Sequence, residues 1–209
     1  MTRPIFYSFR RCPYAMRARF AIASAGLQPE HREIVLRDKA PEFLAASQKG
    51  TVPVVVDGET VIEESLDVMN WALGLNDPEA LLDMPSEGHA LIRANDSSFK
   101  QALDRTKYAS RVGSDPEIER VNAQVFLEEL SEQLEGKPYL FGPRARLADL
   151  AILPFIRQFA HIERARFDLD APENVKNWLD RFLASERFTS IMGKYPKWTN
   201  GDSPTLFLQ

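Results

Sequence analysis

The sequence predicts an α/β unit followed by an all-α unit, and three observations carry that expectation. Strand and helix signals alternate in the order β-α-β-α-β-β-α over the first third of the chain. Strand signals vanish beyond residue 88. Between the two lies a stretch holding Asp77-Pro78 and Met84-Pro85-Ser86-Glu87-Gly88, rich in punctuating residues and poor in periodicity. The expected division is 1–76 for the α/β unit, 77–88 for a linker and 89–209 for an all-helical C-terminal unit.

The first strand is expected over 4–9, where Ile5-Phe6-Tyr7 supplies β-branched and aromatic content. A helix follows over 13–25, with Met16, Phe20 and Ala23 on an apolar face, Arg17 and Arg19 off it, and Gly26 as its stop. The Ile34-Val35 pair marks a strand over 30–36, and Pro41 starts a short helix over 40–47. Two β-rich runs, 52–56 and 60–62, meet through Asp57-Gly58, which is a strong hairpin signal. Glu64-Ser65 then opens a helix that Gly74 should end. A strand–helix–strand opening implies a parallel pair with a right-handed crossover, and the hairpin adds antiparallel strands. Beyond the linker, 89–111, 116–134, 147–161, 172–185 and 186–192 read as helices. Asp115-Pro116 has the form of an N-cap followed by proline at the first helical position. Leu150, Ile152, Leu153, Phe155 and Ile156 are dense enough to mark a fully buried central helix. The tail, 199–209, reads as irregular.

One residue stands out chemically. Cys12 is the single cysteine of the chain and sits in Arg10-Arg11-Cys12-Pro13-Tyr14-Ala15, at a strand-to-helix turn. Proline suits the first helical position, so Cys12 falls at the N-cap beside unpaired backbone donors. A helix N-terminus and nearby cations lower a thiol pKa from about 8.5 to roughly 3.5–7.5. A free cysteine also packs well as a small hydrophobe, so local context alone leaves a structural role open.

The remaining composition narrows the field. The chain has 209 residues, 44% hydrophobic, with a net charge of −4, which gives no support for nucleic-acid or anionic-membrane binding. No apolar run approaches the ~20 residues of a membrane span. Met1-Thr2-Arg3-Pro4 leads into a strand without a signal-peptide apolar region, and a lone cysteine cannot form an intrachain disulfide; together these point to a reducing cytoplasm. His31, His89 and His161 are scattered without ligand spacing, so no metal site is expected.

A β-α-β-α-β-β-α unit with a Cys-Pro-Tyr turn and a helical unit behind it resembles the cytosolic glutathione transferases, most closely the omega-like, cysteine-containing members and their bacterial relatives. The run Tyr7-Ser8-Phe9-Arg10-Arg11-Cys12-Pro13-Tyr14-Ala15, with Arg17 and Arg19 after it, is similar to the omega-type active-site stretch. It is also similar to a glutaredoxin motif in which Ala15 replaces the second cysteine. Thr51-Val52-Pro53-Val54 matches the family's Val-Pro element, Glu64-Ser65 its glutamate–serine pair, and Ala148-Asp149 its buried helical-domain aspartate. One departure is Arg146, where the family has Ser or Thr as an N-cap.

What the resemblance implies is a thioredoxin-like N-terminal domain followed by a helical bundle, with glutathione as co-substrate and a homodimer as the assembly. It implies a cis Val52–Pro53 bond, with Val52 backbone groups pairing with the cysteinyl part of glutathione as an added strand. Glu64 and Ser65 would hold the γ-glutamyl end, Lys49 or Lys39 the glycyl carboxylate, and Arg11 the thiolate. Tyr14, Phe99, Lys107 and Tyr108 would line the acceptor pocket; the alternative for the first long helix is plain helix–helix core. Cys12 would form a mixed disulfide with glutathione, and without a resolving cysteine a second glutathione completes the exchange. The expected chemistry is monothiol transfer, that is, disulfide or dehydroascorbate reduction. The alternatives are conjugation of glutathione to electrophiles and a non-catalytic interaction module of the same fold. Ser8 is a rival hydroxyl to Cys12.

Overall fold

A computed structural model describes residues 3–208 of the chain. Met1, Thr2 and Gln209, where the expected units begin and end, lie outside the described residues. The chain divides into two compact units. One runs to Ala80 and takes in the chain again from Ser185 onward; the other is Leu81–Ala184.

In the first unit the strands are β1 (Ile5–Ser8), β2 (Glu30–Glu33), β3 (Val54–Asp57) and β4 (Thr60–Ile62). They form one sheet in the order β2-β1-β3-β4. The strands β1 and β2 are parallel, with Ile5 opposite Glu30 and Ser8 opposite Glu33, and the crossover helix α1 (Pro13–Ser24) joins them. The antiparallel pairs are β1 with β3 and β3 with β4, the latter turning at Gly58, whose φ of +60° suits glycine. Successive side chains on a strand point to opposite faces. Tyr7 meets Phe43 of the short helix α2 (Pro41–Ala46), while Phe6 meets His31 and Phe207. The helix α3 (Ser65–Leu75) packs on α1 and runs through Gly74, so that glycine is interior and not the expected stop.

Two features of this unit depart from the sequence expectation. Arg17 and Arg19, read as lying off the apolar face of α1, are fully buried. Residues from 185 onward, expected to belong to the helical unit, pack with the first unit instead. The helix α11 (Glu186–Ile191) and the tail lie along the outer edge of β2: His31 N–H donates to Thr205 O (2.7 Å), Trp198 N–H to Glu33 O (3.0 Å) and Phe207 N–H to Pro29 O (3.1 Å). The tail therefore satisfies an edge that would otherwise expose unpaired backbone groups.

The second unit is helical. A continuous helical run comprises α4 (Ser86–Ala94), a π-helical stretch Asn95–Phe99 and α5 (Lys100–Lys107), followed by α6 (Ala109–Val112). The helix α7 (Pro116–Gln133) starts as its sequence predicts, with the Asp115 carboxylate accepting from Glu117 N–H (2.9 Å). The central α8 (Leu147–Ala160) is almost wholly buried, and α10 (Glu173–Leu183) lays Val175, Trp178, Leu179 and Phe182 inward at i, i+3, i+4 and i+7. The short α9 (Arg164–Asp170) was not anticipated. Leu81 is buried and its carbonyl accepts from Leu147 N–H (2.9 Å), so the end of the expected linker is part of this unit.

Arg146 at the head of α8 has a side chain that cannot accept a hydrogen bond. Half of the capping interaction survives: Arg146 N–H donates to Asp149 Oδ2 (2.9 Å). Asp149 also accepts from Leu140 N–H (3.1 Å) and Trp178 Nε1–H (3.0 Å), tying the start of α8 to α10 and to the loop before it. Among the described residues no helix is long and apolar enough to cross a membrane.

Candidate active site

Cys12 is the N-cap residue of α1, in extended conformation, with Pro13 at the first helical position. A tight turn presents it: Cys12 N–H donates to Phe9 O (3.0 Å), and Cys12 O accepts from Met16 N–H (2.9 Å). The thiol is free and half-buried. It packs against an apolar cluster of Tyr7, Ala15, Ile34, Phe43, Val52 and Val54. Its Sγ lies 3.8 Å from Val52 O, so residues 40 positions apart in sequence meet at one point. The Val52–Pro53 peptide bond is cis.

The Glu64-Ser65 pair begins α3, with Glu64 as N-cap. Ser65 is buried, and its Oγ accepts from Arg17 Nη1 at 3.4 Å. Arg17 also lies over the Tyr14 ring (5.7 Å). Sequence reading missed this role of Arg17, because nothing near it in the chain announces a partner 48 residues away. Glu64 is exposed, and Lys49 Nζ donates to its Oε1 at 2.7 Å. That hydrogen bond and the neighbouring charge raise the Lys49 pKa. Lys39 lies elsewhere on the same loop system: a Cβ added at Gly50 would come within 3.2 Å of its Nζ.

The other expected site residues distribute unevenly. Arg11 is exposed and lies over the Phe9 ring (5.6 Å). Ser8 is fully buried and its Oγ accepts from Arg19 Nε (2.8 Å), so it is withdrawn from any substrate and is not a rival nucleophile. Phe99 is a correction: it is 1% exposed and packs against Phe126 (5.0 Å) and Phe159 (5.5 Å) in the core of the helical unit, not in a pocket wall. Lys107 and Tyr108 lie on that unit's surface, with the Lys107 ammonium over the Tyr108 ring (5.1 Å). Steps of four residues advance about 40° around a helix, so a row starting at a buried Phe99 reaches solvent by Lys107. Among the described residues no group of three or more His, Cys, Asp or Glu side chains could hold a metal ion.

A four-stranded mixed sheet with a free N-cap thiol opposite a cis-proline segment, joined in one chain to a helical unit, defines a thioredoxin-like α/β domain followed by an all-α domain. Comparison with known proteins takes this to a family. Residues 6–80 match the glutathione S-transferase N-terminal domain, and residues 117–181 match the glutathione S-transferase C-terminal domain. A maleylacetoacetate isomerase of Mus musculus is 26% identical over 200 residues, covering 89% of this chain and 90% of that one. A probable glutathione transferase of Aplysia californica is 35% identical over 91 residues, 43% of this chain and 94% of that one. Among solved structures, glutathione transferase Omega 3C from Trametes versicolor aligns with a TM-score of 0.78 at 18% identity, covering 94% of this chain and 91% of that one. A Pseudomonas fluorescens glutathione transferase family member, solved with two glutathione bound, aligns with a TM-score of 0.76 at 21% identity over 91% and 92%. At these identities the two structures speak for the fold alone. The chain belongs to the glutathione S-transferase superfamily of enzymes.

Proposed function

We propose that this protein is a cysteine-type, omega-like glutathione transferase that carries out monothiol transfer through Cys12. The observation that carries the reading is the meeting of the Cys12 thiol, at an α-helix N-cap, with the Val52 carbonyl at 3.8 Å. Glutathione bound along Val52 as an added strand would bring its own sulfur beside Cys12. Ser65, backed by Arg17, and Glu64 supply the γ-glutamyl end, where backbone donors at the start of α3 suit a carboxylate. Groups 2.7 Å apart cannot grip both ends of a tripeptide, so Lys49 joins Glu64 at this end. Lys39, beside Gly50, is then the better cation for the glycyl carboxylate.

The reaction has two exchanges. The Cys12 thiolate attacks the glutathionyl sulfur of a mixed disulfide R–S–S–G; a Cys12–glutathione disulfide forms and R–S⁻ leaves to take up a proton. A second glutathione thiolate then attacks that disulfide, releasing oxidised glutathione and restoring the Cys12 thiolate. Ala15 stands where an internal resolving thiol would be, so the second exchange depends on free glutathione. Family membership also supports a homodimer working in the cytoplasm, with light scattering as the check on the assembly.

Mass spectrometry after treatment with oxidised glutathione is the test, paired with assays of Cys12→Ser. A glutathione adduct on Cys12, with loss of disulfide exchange in Cys12→Ser, is the expected result. Wild-type protein that never forms the adduct, with Cys12→Ser gaining conjugating activity toward an aryl halide, overturns monothiol transfer in favour of conjugation. Neither activity, with no retention on immobilised glutathione, moves the protein to a non-catalytic interaction module.

A further inference from the structure

Beneath the Cys12 turn lies a buried charge pair that the chemistry above does not use. Glu33, at the end of β2, accepts from Arg10 N–H through Oε1 (2.7 Å) and from Arg19 Nη2 through Oε2 (2.5 Å). The same Oε2 lies 3.0 Å from His31 Nε2. Arg19, in the middle of α1, donates from Nε to Ser8 Oγ (2.8 Å) and from Nη1 to Ile191 O (2.9 Å). Tyr195 and Phe207 flank its guanidinium at 5.9 and 5.8 Å. Ser8 and Arg10 sit on either side of Phe9, whose carbonyl accepts from Cys12 N–H, so the pair grips the turn at both feet.

We infer that Glu33 and Arg19 are positioning residues for the Cys12 thiol, and that the C-terminal segment seals them. A well-packed aliphatic pair is often as stable as a buried ion pair, so stability alone does not call for these charges. An aliphatic residue at 33, however, cannot accept from the Arg10 amide. A carboxylate there can, through a charge-assisted hydrogen bond, and once buried it needs a cation such as Arg19. The chain Arg10 N–H, Glu33, Arg19, Ile191 C=O thus connects the thiol-bearing turn to α11. This deepens the thiol-transfer reading but is tested without glutathione.

Two double variants separate positioning from packing. Arg19→Met/Glu33→Gln removes both charges and keeps an acceptor for Arg10 N–H; Arg19→Met/Glu33→Met removes both charges and the acceptor at similar volume. The readout is the pH profile of Cys12 alkylation by iodoacetamide. A thiol displaced from its N-cap position by a fraction of an ångström to 1 Å should react roughly 10-fold more slowly at neutral pH in the methionine variant, with the glutamine variant near wild type. Equal profiles for the two variants overturn the inference. A second measurement needs no variant: the wild-type Arg10 amide should exchange with solvent at least ~100-fold more slowly than an unstructured amide. Unprotected exchange at Arg10 also overturns it. Alkylation and amide exchange report on the turn whether or not glutathione is the partner, so failure of the thiol-transfer reading leaves its own mark in the adduct assay.

Discussion

Glu33 in the first unit and Asp149 in the second are both carboxylates withdrawn from water, and their surroundings treat them in opposite ways. Burial pushes the Glu33 carboxyl up, but the His31 hydrogen bond, the Arg19 charge and the Arg10 amide outweigh it and hold it below the usual range. Burial pushes Asp149 up to about 6, against hydrogen bonds from the Arg146 and Leu140 amides and the Trp178 indole. The difference is a cation: neutral N–H donors offset part of the desolvation of a carboxylate, whereas a guanidinium at 2.5 Å reverses it. The first unit, which carries the thiol, uses charge to fix a turn. The second uses neutral donors to lock the start of its central helix.

The largest effect that would sharpen this contrast is Glu33→Ala. It strands a buried guanidinium and should cost about 3–5 kcal/mol in urea unfolding. Asp149→Ala orphans three N–H donors and should cost about 3 kcal/mol. An Asp149→Ala loss well above that of Glu33→Ala would break the argument that the cation sets the scale. The pH dependence comes next, with opposite signs. The folded pKa of Asp149 lies above its unfolded value of 3.8, so the folded protein binds the extra proton. Its stabilising contribution is full below about pH 4 and is lost as pH rises through about 6. Glu33 is depressed below 4.5, so its contribution is present above that value and is lost as pH falls through the folded pKa. The stability gap between wild type and Asp149→Asn should therefore narrow by about 2 kcal/mol from pH 4 to pH 7. The gap to Glu33→Gln should widen on leaving the acid range. Parallel pH trends for the two variants would remove the distinction. Smallest is Trp178→Phe, which keeps the buried ring and loses one donor to Asp149, for about 1 kcal/mol.

Local signals were legible where the physics is local. Asp115-Pro116 does cap α7, Asp57-Gly58 does turn the β3–β4 hairpin, and Cys12-Pro13 does head α1. The seven-residue α9 carries too few turns for periodicity to register. Arg17 and Arg19 read as surface residues because charged side chains are almost never fully buried unless paired, and their partners, Ser65 and Glu33, lie on other elements. The tail read as irregular because its order comes from pairing with β2, more than 160 residues earlier in the chain. Phe99 was divided between pocket and core, and the rotation of its helix face decided for core.

By itself the sequence determined the order of elements, the split into an α/β and a helical part, and the single thiol at a helix start. Each follows from spacing, turn chemistry and residue type within a window of a few turns. Tertiary structure alone decided that Val52 faces Cys12, that Arg17 backs Ser65, and that Glu33 and Arg19 brace the turn from below. It also assigned the last residues of the chain to the first unit. The physical reason is the same in each case: the satisfaction of a buried polar group is set by whatever the fold brings within about 3 Å of it, and sequence distance says nothing about that.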